Sequence, residues 1–218
     1  MDLHHFLFDF DGTLVDSAPL HAAAFREALA AASPELLTAF NYESVKGLPT
    51  RAAFMQLGVE EGARLEWCVA RKQQLYREAV RAGRLVECPG ARELLRAVLA
   101  DGGTNYLVTS SSAASVNPAL DKLELRNLFA GIVTAEQASV GKPAPMPYLI
   151  CLRRFGLRPD DTIVIEDAAS GVTSARSTGL RVIGVHNRDI MNSVDIYFAT
   201  LFEFIAALRE RNRGVPGN

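Results

Sequence analysis

Residues 6–17 read FLFDFDGTLVDS. Phe6-Leu7-Phe8 has the apolar, aromatic character of a strand, and it runs directly into Asp9 and Asp11. Alternate side chains of an extended chain share a face, so Asp9 and Asp11 point one way and Phe10 the other. Two adjacent carboxylates repel unless a cation lies between them or one holds a proton. The stretch therefore needs a partner, which the rest of the chain must supply.

Further strand-like runs follow at Thr104–Thr109, Gly131–Thr134, Thr162–Ile165 and Leu180–Val185, the first run being Leu3–Phe10. Helical patterns lie between them at Ala91–Ala100, Ala113–Leu123, Tyr148–Phe155 and Ser170–Ser177. Apolar strands alternating with helices predict an α/β fold, a doubly wound parallel sheet with helices on both faces. Three strands end in polar or acidic residues: Asp9/Asp11, Ser110/Ser111 and Glu166/Asp167. Ligands of such sheets gather at the carboxyl ends of the strands, so these residues can converge.

From Ser17 to about Glu87 the alternation stops and helix follows helix, with no convincing strand. Cys88-Pro89-Gly90 closes the block. The pattern predicts an all-helical insertion over 17–87 in a core made of 1–16 and 88–218, with hinges near Val15–Pro19 and Leu85–Gly90. Arg209–Asn218 reads as a frayed tail.

Composition narrows the class. The chain has 218 residues, 49% of them apolar, enough for a real core. Its 23 basic and 25 acidic side chains give a net charge of −2. With no basic tract, a nucleic-acid partner is not expected. Cys68, Cys88 and Cys151 stand far apart, without the spacing of a disulfide framework or zinc site, and read as apolar filler. The N-terminus lacks the basic start and long apolar run of a signal peptide. No stretch reaches the roughly 18 apolar residues of a membrane span. The expectation is a soluble cytoplasmic protein with no membrane partner, a monomer or weak homodimer.

Four pieces carry the candidate chemistry: Asp9-Phe10-Asp11-Gly12-Thr13, Val108-Thr109-Ser110-Ser111, Gly141-Lys142-Pro143, and Glu166-Asp167-Ala168-Ala169-Ser170-Gly171. Each alone has a plain explanation. Asp before Gly is turn chemistry, and Ser111, Ser112 or Asp167 can cap a helix. In this order, each beside a strand end, they resemble the haloacid dehalogenase superfamily of phosphoryl-transfer enzymes over nearly the whole chain. The resemblance implies a Rossmann-like core with an inserted helical cap that closes over the site.

The residue types suit that chemistry. Moving an anionic phosphoryl group needs a nucleophile, charge neutralisation and an acid–base. By resemblance Asp9 is the nucleophile and forms an aspartyl-phosphate. Asp11 is the general acid/base, and Lys142 offsets negative charge during transfer. Mg²⁺ is the implied cofactor, held by Asp9, Asp167 and the Asp11 carbonyl, with Glu166 in or just behind the shell. Gly12, Thr13, Ser110 and the Ser111 amide would receive the phosphoryl group. Relatives often place an acid after Lys-Pro-x-Pro to cap the next helix. Here Met146 stands there, and Pro147 in the first helical turn partly compensates.

Within the insertion, His21, Arg51 of KGLPTR and Lys72 of KQQLY resemble the branch holding β-phosphoglucomutase and the small sugar-phosphate phosphatases. They could bind a second anionic or hydroxyl-rich part of the substrate, or be a core histidine and solvated helix charges. The phosphoglycolate phosphatases are the neighbouring branch. The expected partner is a small phosphorylated metabolite, and the expected activity is Mg²⁺-dependent phosphate-ester hydrolysis. A phosphomutase and a non-catalytic binding protein of the same fold are the alternatives.

Overall fold

The computed structural model describes residues 3–213. The chain divides into two compact units, one of Met1–Asp16 with Val86–Asn218 and one of Ser17–Leu85.

The first unit opens with β1 (His5–Phe8), followed by β2 (Val15–Asp16). The second unit holds α1 (Ala18–Ala32), α2 (Thr50–Gln56) and α3 (Ala63–Arg81), joined by short 3-10 turns. The first unit resumes with β3 (Val86–Glu87), α4 (Ala91–Ala100), β4 (Thr104–Val108), α5 (Ala113–Lys122) and β5 (Gly131–Val133). It continues through α6 (Met146–Phe155), β6 (Thr162–Glu166), α7 (Ala169–Arg176), β7 (Arg181–Val185), β8 (Ile196–Phe198) and α8 (Leu201–Arg213).

Six strands form one sheet in the order β5-β4-β1-β6-β7-β8. Every neighbouring pair in it is parallel. The chain winds outward from β1 through β4 to β5, then returns to lay β6, β7 and β8 on the other side. This reversal puts the switch point at β1, where a doubly wound sheet leaves its crevice.

Both faces of the sheet are covered, which is why its strands read as continuous apolar runs. On one face Leu7, Tyr106, Val164 and Val182 pack with Tyr148, Cys151 and Leu152 of α6 and Val172 and Ala175 of α7. On the other, Asn105 donates to the Leu95 carbonyl of α4 at 2.9 Å, and α4 packs against α8. Each fully buried aliphatic side chain of this kind contributes about 1.5–3 kcal/mol.

Three boundaries differ from the sequence reading. Val86–Glu87, placed in the insertion, forms β3 and pairs antiparallel with β2, tying the two connecting segments into a ribbon. A two-residue strand has no periodicity to read. The chain after Val185 carries β8 and α8, so Arg209–Arg213 is helical, not tail. Residues 214–218 of the expected tail lie outside the described residues. Helix α6 starts at Met146 with Pro147 in its first turn and no side-chain cap.

The helical unit has a core of its own, built from Phe25, Ala28, Leu29, Val45, Ala53, Phe54, Val59, Leu65 and Cys68. Among the described residues no helix is long and apolar enough to cross a membrane. The three cysteines are free and buried. Burial raises the Cys88 and Cys151 thiols to about 12.

Candidate active site

At the end of β1 the Asp9 amide still donates to Ile165 of β6 at 3.0 Å. The chain then leaves the sheet. Phe10 is buried, and its carbonyl accepts from the amides of Leu14 and Val15, while the Gly12 amide donates to the Val15 carbonyl at 2.8 Å. This tight turn needs Gly12, whose φ is +91°. A β-carbon at Gly12 would lie 2.2 Å from Oδ2 of Asp167, so the glycine also makes room for that carboxylate. Gly171 does the same for Glu166, where a β-carbon would sit 1.7 Å from Oε1.

Lys142 is the hub. Its Nζ donates to Asp9 Oδ1 at 2.6 Å, to Glu166 Oε1 at 2.6 Å and to the Val108 carbonyl at 3.0 Å. One ammonium thus spans the ends of β1, β4 and β6. Its side chain is only 5% exposed. Burial works against the charged ammonium, yet Asp9 and Glu166 together hold the Lys142 pKa well above its usual value.

Glu166 is fully engaged. Oε1 accepts from Lys142 and from the buried Tyr148 hydroxyl at 3.0 Å. Oε2 accepts from the amides of Asp167 and Ala168 at 3.1 and 3.2 Å. Asp167 does not cap α7, which starts behind Ala168 without a side-chain cap. Its Oδ1 accepts from the Thr13 hydroxyl at 3.2 Å, and its carbonyl accepts from Asn187 at 2.9 Å.

Ligand oxygens of Asp9, Glu166 and Asp167 lie within 4.8 Å of one another, all buried. Three carboxylates face one ammonium. Burial raises the Asp9 pKa most, Lys142 pulls it back, and Glu166 and Asp167 push it up again, leaving it well above its usual value. A buried excess of negative charge over hard oxygen donors fits a divalent cation such as Mg²⁺. With both oxygens of Glu166 already taken, Asp9 and Asp167 are the better-placed donors.

The Asp11 carboxylate is held from the loop after β4, where its Oδ2 accepts from the Ser111 hydroxyl at 2.5 Å. Thr13, expected at the phosphoryl group, is wholly buried and gives its hydroxyl to Asp167. The Ser111 amide, expected there too, donates to the Thr109 hydroxyl oxygen at 2.9 Å. Ser110 lies exposed beyond the strand end.

In the helical unit, Lys72 is buried and its Nζ lies 3.0 Å from Nδ1 of His21. An ammonium only donates, so Nδ1 accepts and the ring hydrogen sits on Nε2. Tyr76 stacks on His21 at 4.1 Å, and the Phe25 ring lies 4.8 Å from Nζ. Arg51 stands apart. It pairs with Glu66 and, at 3.5 Å, with Glu61, and Glu66 foremost raises its pKa.

Tyr148 and Asn187 join the site without a signal in the sequence, and Thr109 joins it from within the Val108–Ser111 piece. An aromatic residue at helical spacing reads as core, and an Asn next to a strand reads as a turn.

Residues 6–185 match the family model of haloacid dehalogenase-like hydrolases. The chain belongs to that family. Members similar to it include a phosphorylated carbohydrates phosphatase of Thermotoga maritima, 33% identical over 82% of this chain and 83% of the relative. Hexitol phosphatase A of Escherichia coli is 32% identical over 96% of each chain. The crystal structure of CbbY from Rhodobacter sphaeroides in complex with phosphate shares the fold, with a TM-score of 0.78 at 22% identity over 95% of this chain and 99% of that one. The sheet unit holds all four of the strand-end pieces.

Proposed function

We propose that the protein is a divalent-metal-dependent phosphatase of small phosphorylated sugars or similar metabolites. The observation that carries this reading is Lys142 bonded at once to Asp9 and Glu166, with Asp167 completing a buried carboxylate cluster. The named activities of the Thermotoga and Escherichia relatives point to the same class of substrate.

In this reading the Asp9 carboxylate attacks phosphorus and the ester oxygen leaves. Asp11 gives that oxygen its proton, so the products of the first step are a free hydroxyl and an aspartyl-phosphate. The ionised Asp11 then takes a proton from water as the water attacks phosphorus. Inorganic phosphate departs and Asp9 is regenerated. Ser111 aims the Asp11 carboxyl, and Lys142 holds Asp9 and offsets charge as it builds. Glu166, braced by Tyr148 and two amides, fixes Lys142 in place. Asp9, Asp167 and the Asp11 carbonyl would hold Mg²⁺, which supplies charge neutralisation for the phosphoryl oxygens when bound. In the helical unit, Lys72 and His21 are the side chains we assign to substrate discrimination. Arg51 already carries two carboxylate partners.

The test is phosphate release in Mg²⁺ over a panel of hexose and pentose phosphates, hexitol phosphates, phosphoglycolate and nucleotides, with sugar-phosphate isomers quantified alongside. Sugar or hexitol phosphates are expected to give the highest kcat/KM with free phosphate as product. Isomer without free phosphate would make the protein a mutase. No turnover across the panel would overturn the enzymatic reading.

A further inference from the structure

The loop after β4 carries Ser110 and Ser111, and its last residues open α5. That helix begins behind Ser112 without a side-chain cap, because the Ser112 hydroxyl meets the Ser115 hydroxyl at 3.1 Å instead. The Ala113 amide, one of the donors a helix start leaves unpaired, is met from another part of the chain. Both carboxylate oxygens of Glu136 accept from it, each at 3.0 Å.

Glu136 is itself held. The Thr134 hydroxyl donates to its Oε2 at 2.8 Å, and the Thr134 amide donates to Gln137 at 2.9 Å in a capping box. The same turn grips the β4 loop again, as the Ala135 amide donates to the Ser111 carbonyl at 3.1 Å. Ser111 is then fixed at three groups. Its amide bonds to Thr109, its carbonyl takes the Ala135 amide, and its hydroxyl reaches Asp11.

We propose that Glu136 is a positioning residue that clamps the Ser110–Ala113 loop to the Thr134–Gln137 turn and thereby holds Ser111 on the Asp11 carboxyl. The clamp stands on geometry alone, and its catalytic consequence rests on the phosphatase reading above. A carboxylate at a helix start is favoured by the helix dipole as well as by its hydrogen bonds. Burial pulls the Glu136 pKa up, but the Ala113 amide, its own backbone amide and the Thr134 hydroxyl outweigh it and leave the pKa below the usual range, so the group stays ionised in the neutral range. Exposed to solvent, Glu136 touches none of the reacting groups and acts only through the loop.

The test compares Glu136→Ala and Glu136→Gln with wild type by two readouts. Gln keeps one acceptor oxygen, and Ala keeps none. In hydrogen exchange read by mass spectrometry, the 110–113 segment should exchange about tenfold faster in the Ala variant and stay near wild type in the Gln variant. In phosphate release with Mg²⁺, kcat/KM should fall roughly tenfold for Ala and under about threefold for Gln. Combining Glu136→Ala with Ser111→Ala should cost little more than Ser111→Ala alone, because the effect passes through Ser111. Wild-type exchange in the Ala variant would overturn the clamp. A full additional penalty in the Ser111→Ala background would overturn its route to Asp11. The exchange readout needs no turnover, so an inert wild-type protein would sink the phosphatase reading and leave the clamp to be judged by exchange.

Discussion

Lys142 and Arg51 each hold two carboxylates, and the resemblance is superficial. Lys142 sits between Asp9 and Glu166 at the strand ends with 5% of its side chain exposed. Arg51 sits between Glu61 and Glu66 on the helical unit with 46% exposed. In the first setting the charges have lost their water and depend on one another, so removing one strands the rest. In the second, water and salt already screen each partner. The sheet unit buries Asp9, Glu166 and Asp167 around one ammonium at its strand ends. The helical unit keeps most of its charges outside and, among the described residues, buries a single ammonium, Lys72, against His21 and two aromatic rings.

The largest effect should come from Asp9→Asn. The amide keeps the shape but cannot attack phosphorus, so phosphate release should drop by about 10⁴-fold or more. The fold should persist, because a neutral side chain at this position relieves repulsion from Glu166 and Asp167. Near-normal turnover of the best substrate from the panel would remove Asp9 from the mechanism.

Lys142→Met comes next and sets the two units against each other. It should lower kcat about 10²–10³-fold by withdrawing charge stabilisation. It should also destabilise the fold by roughly 3–5 kcal/mol, since Glu166 and Asp9 stay buried without their cation. Thermal unfolding and phosphate release measured on one preparation would check both. A variant that loses activity at wild-type stability would mean that the Glu166 side of the network tolerates the loss.

A smaller effect is the pH dependence of stability without metal. The folded-state pKa of Asp9 lies above its ordinary value of 3.8. Between the two values the folded protein keeps a proton that the unfolded chain has released. Stability therefore falls as pH rises through that window, and levels off above the folded value. In chelator, the thermal midpoint should fall more steeply as pH rises from about 4 than it does in Mg²⁺, where a bound cation favours the ionised form. Asp9→Asn should remove the difference between chelator and Mg²⁺ slopes. Parallel slopes in wild type would argue that the carboxylate cluster holds no cation.

The same contrast explains what the sequence makes legible. Apolar strands that end in Asp9, Asp11, Glu166 and Asp167 are legible because each short apolar run breaks into acids at its carboxyl end. Lys142 stands out through its Gly141 and Pro143 neighbours, and the structure brings it to Asp9 and Glu166. Side-chain direction is another matter. Nothing local tells that Thr13 faces Asp167, that the Ser111 amide is spent on Thr109, or that Glu136 serves a helix 23 residues away. These choices are made by tertiary neighbours. Short elements fade for a related reason. β3 and β8, with two and three residues, owe their existence to the strands they join and carry no pattern of their own.

The smallest effect, and the sharpest test of the contrast, is Arg51→Met. Sequence alone makes Arg51 a candidate for binding an anionic part of the substrate, since an arginine after a turn suits a phosphate or carboxylate fork. The structure gives that fork to Glu61 and Glu66 instead. A substrate anion would have to displace two carboxylates, and those carboxylates would repel it. Loss of Arg51 should therefore change kcat/KM for sugar phosphates by no more than about twofold, the range expected when an exposed pair is removed. Lys72→Met, in contrast, should raise KM severalfold for substrates rich in hydroxyls while sparing kcat, as loss of uniform binding does. A rise in KM of about tenfold for Arg51→Met, or some 1.4 kcal/mol of lost binding, would break the contrast. It would mean that the pairs with Glu61 and Glu66 open when substrate arrives, and that an exposed cation of the helical unit serves the ligand as the buried Lys72 is assigned to do.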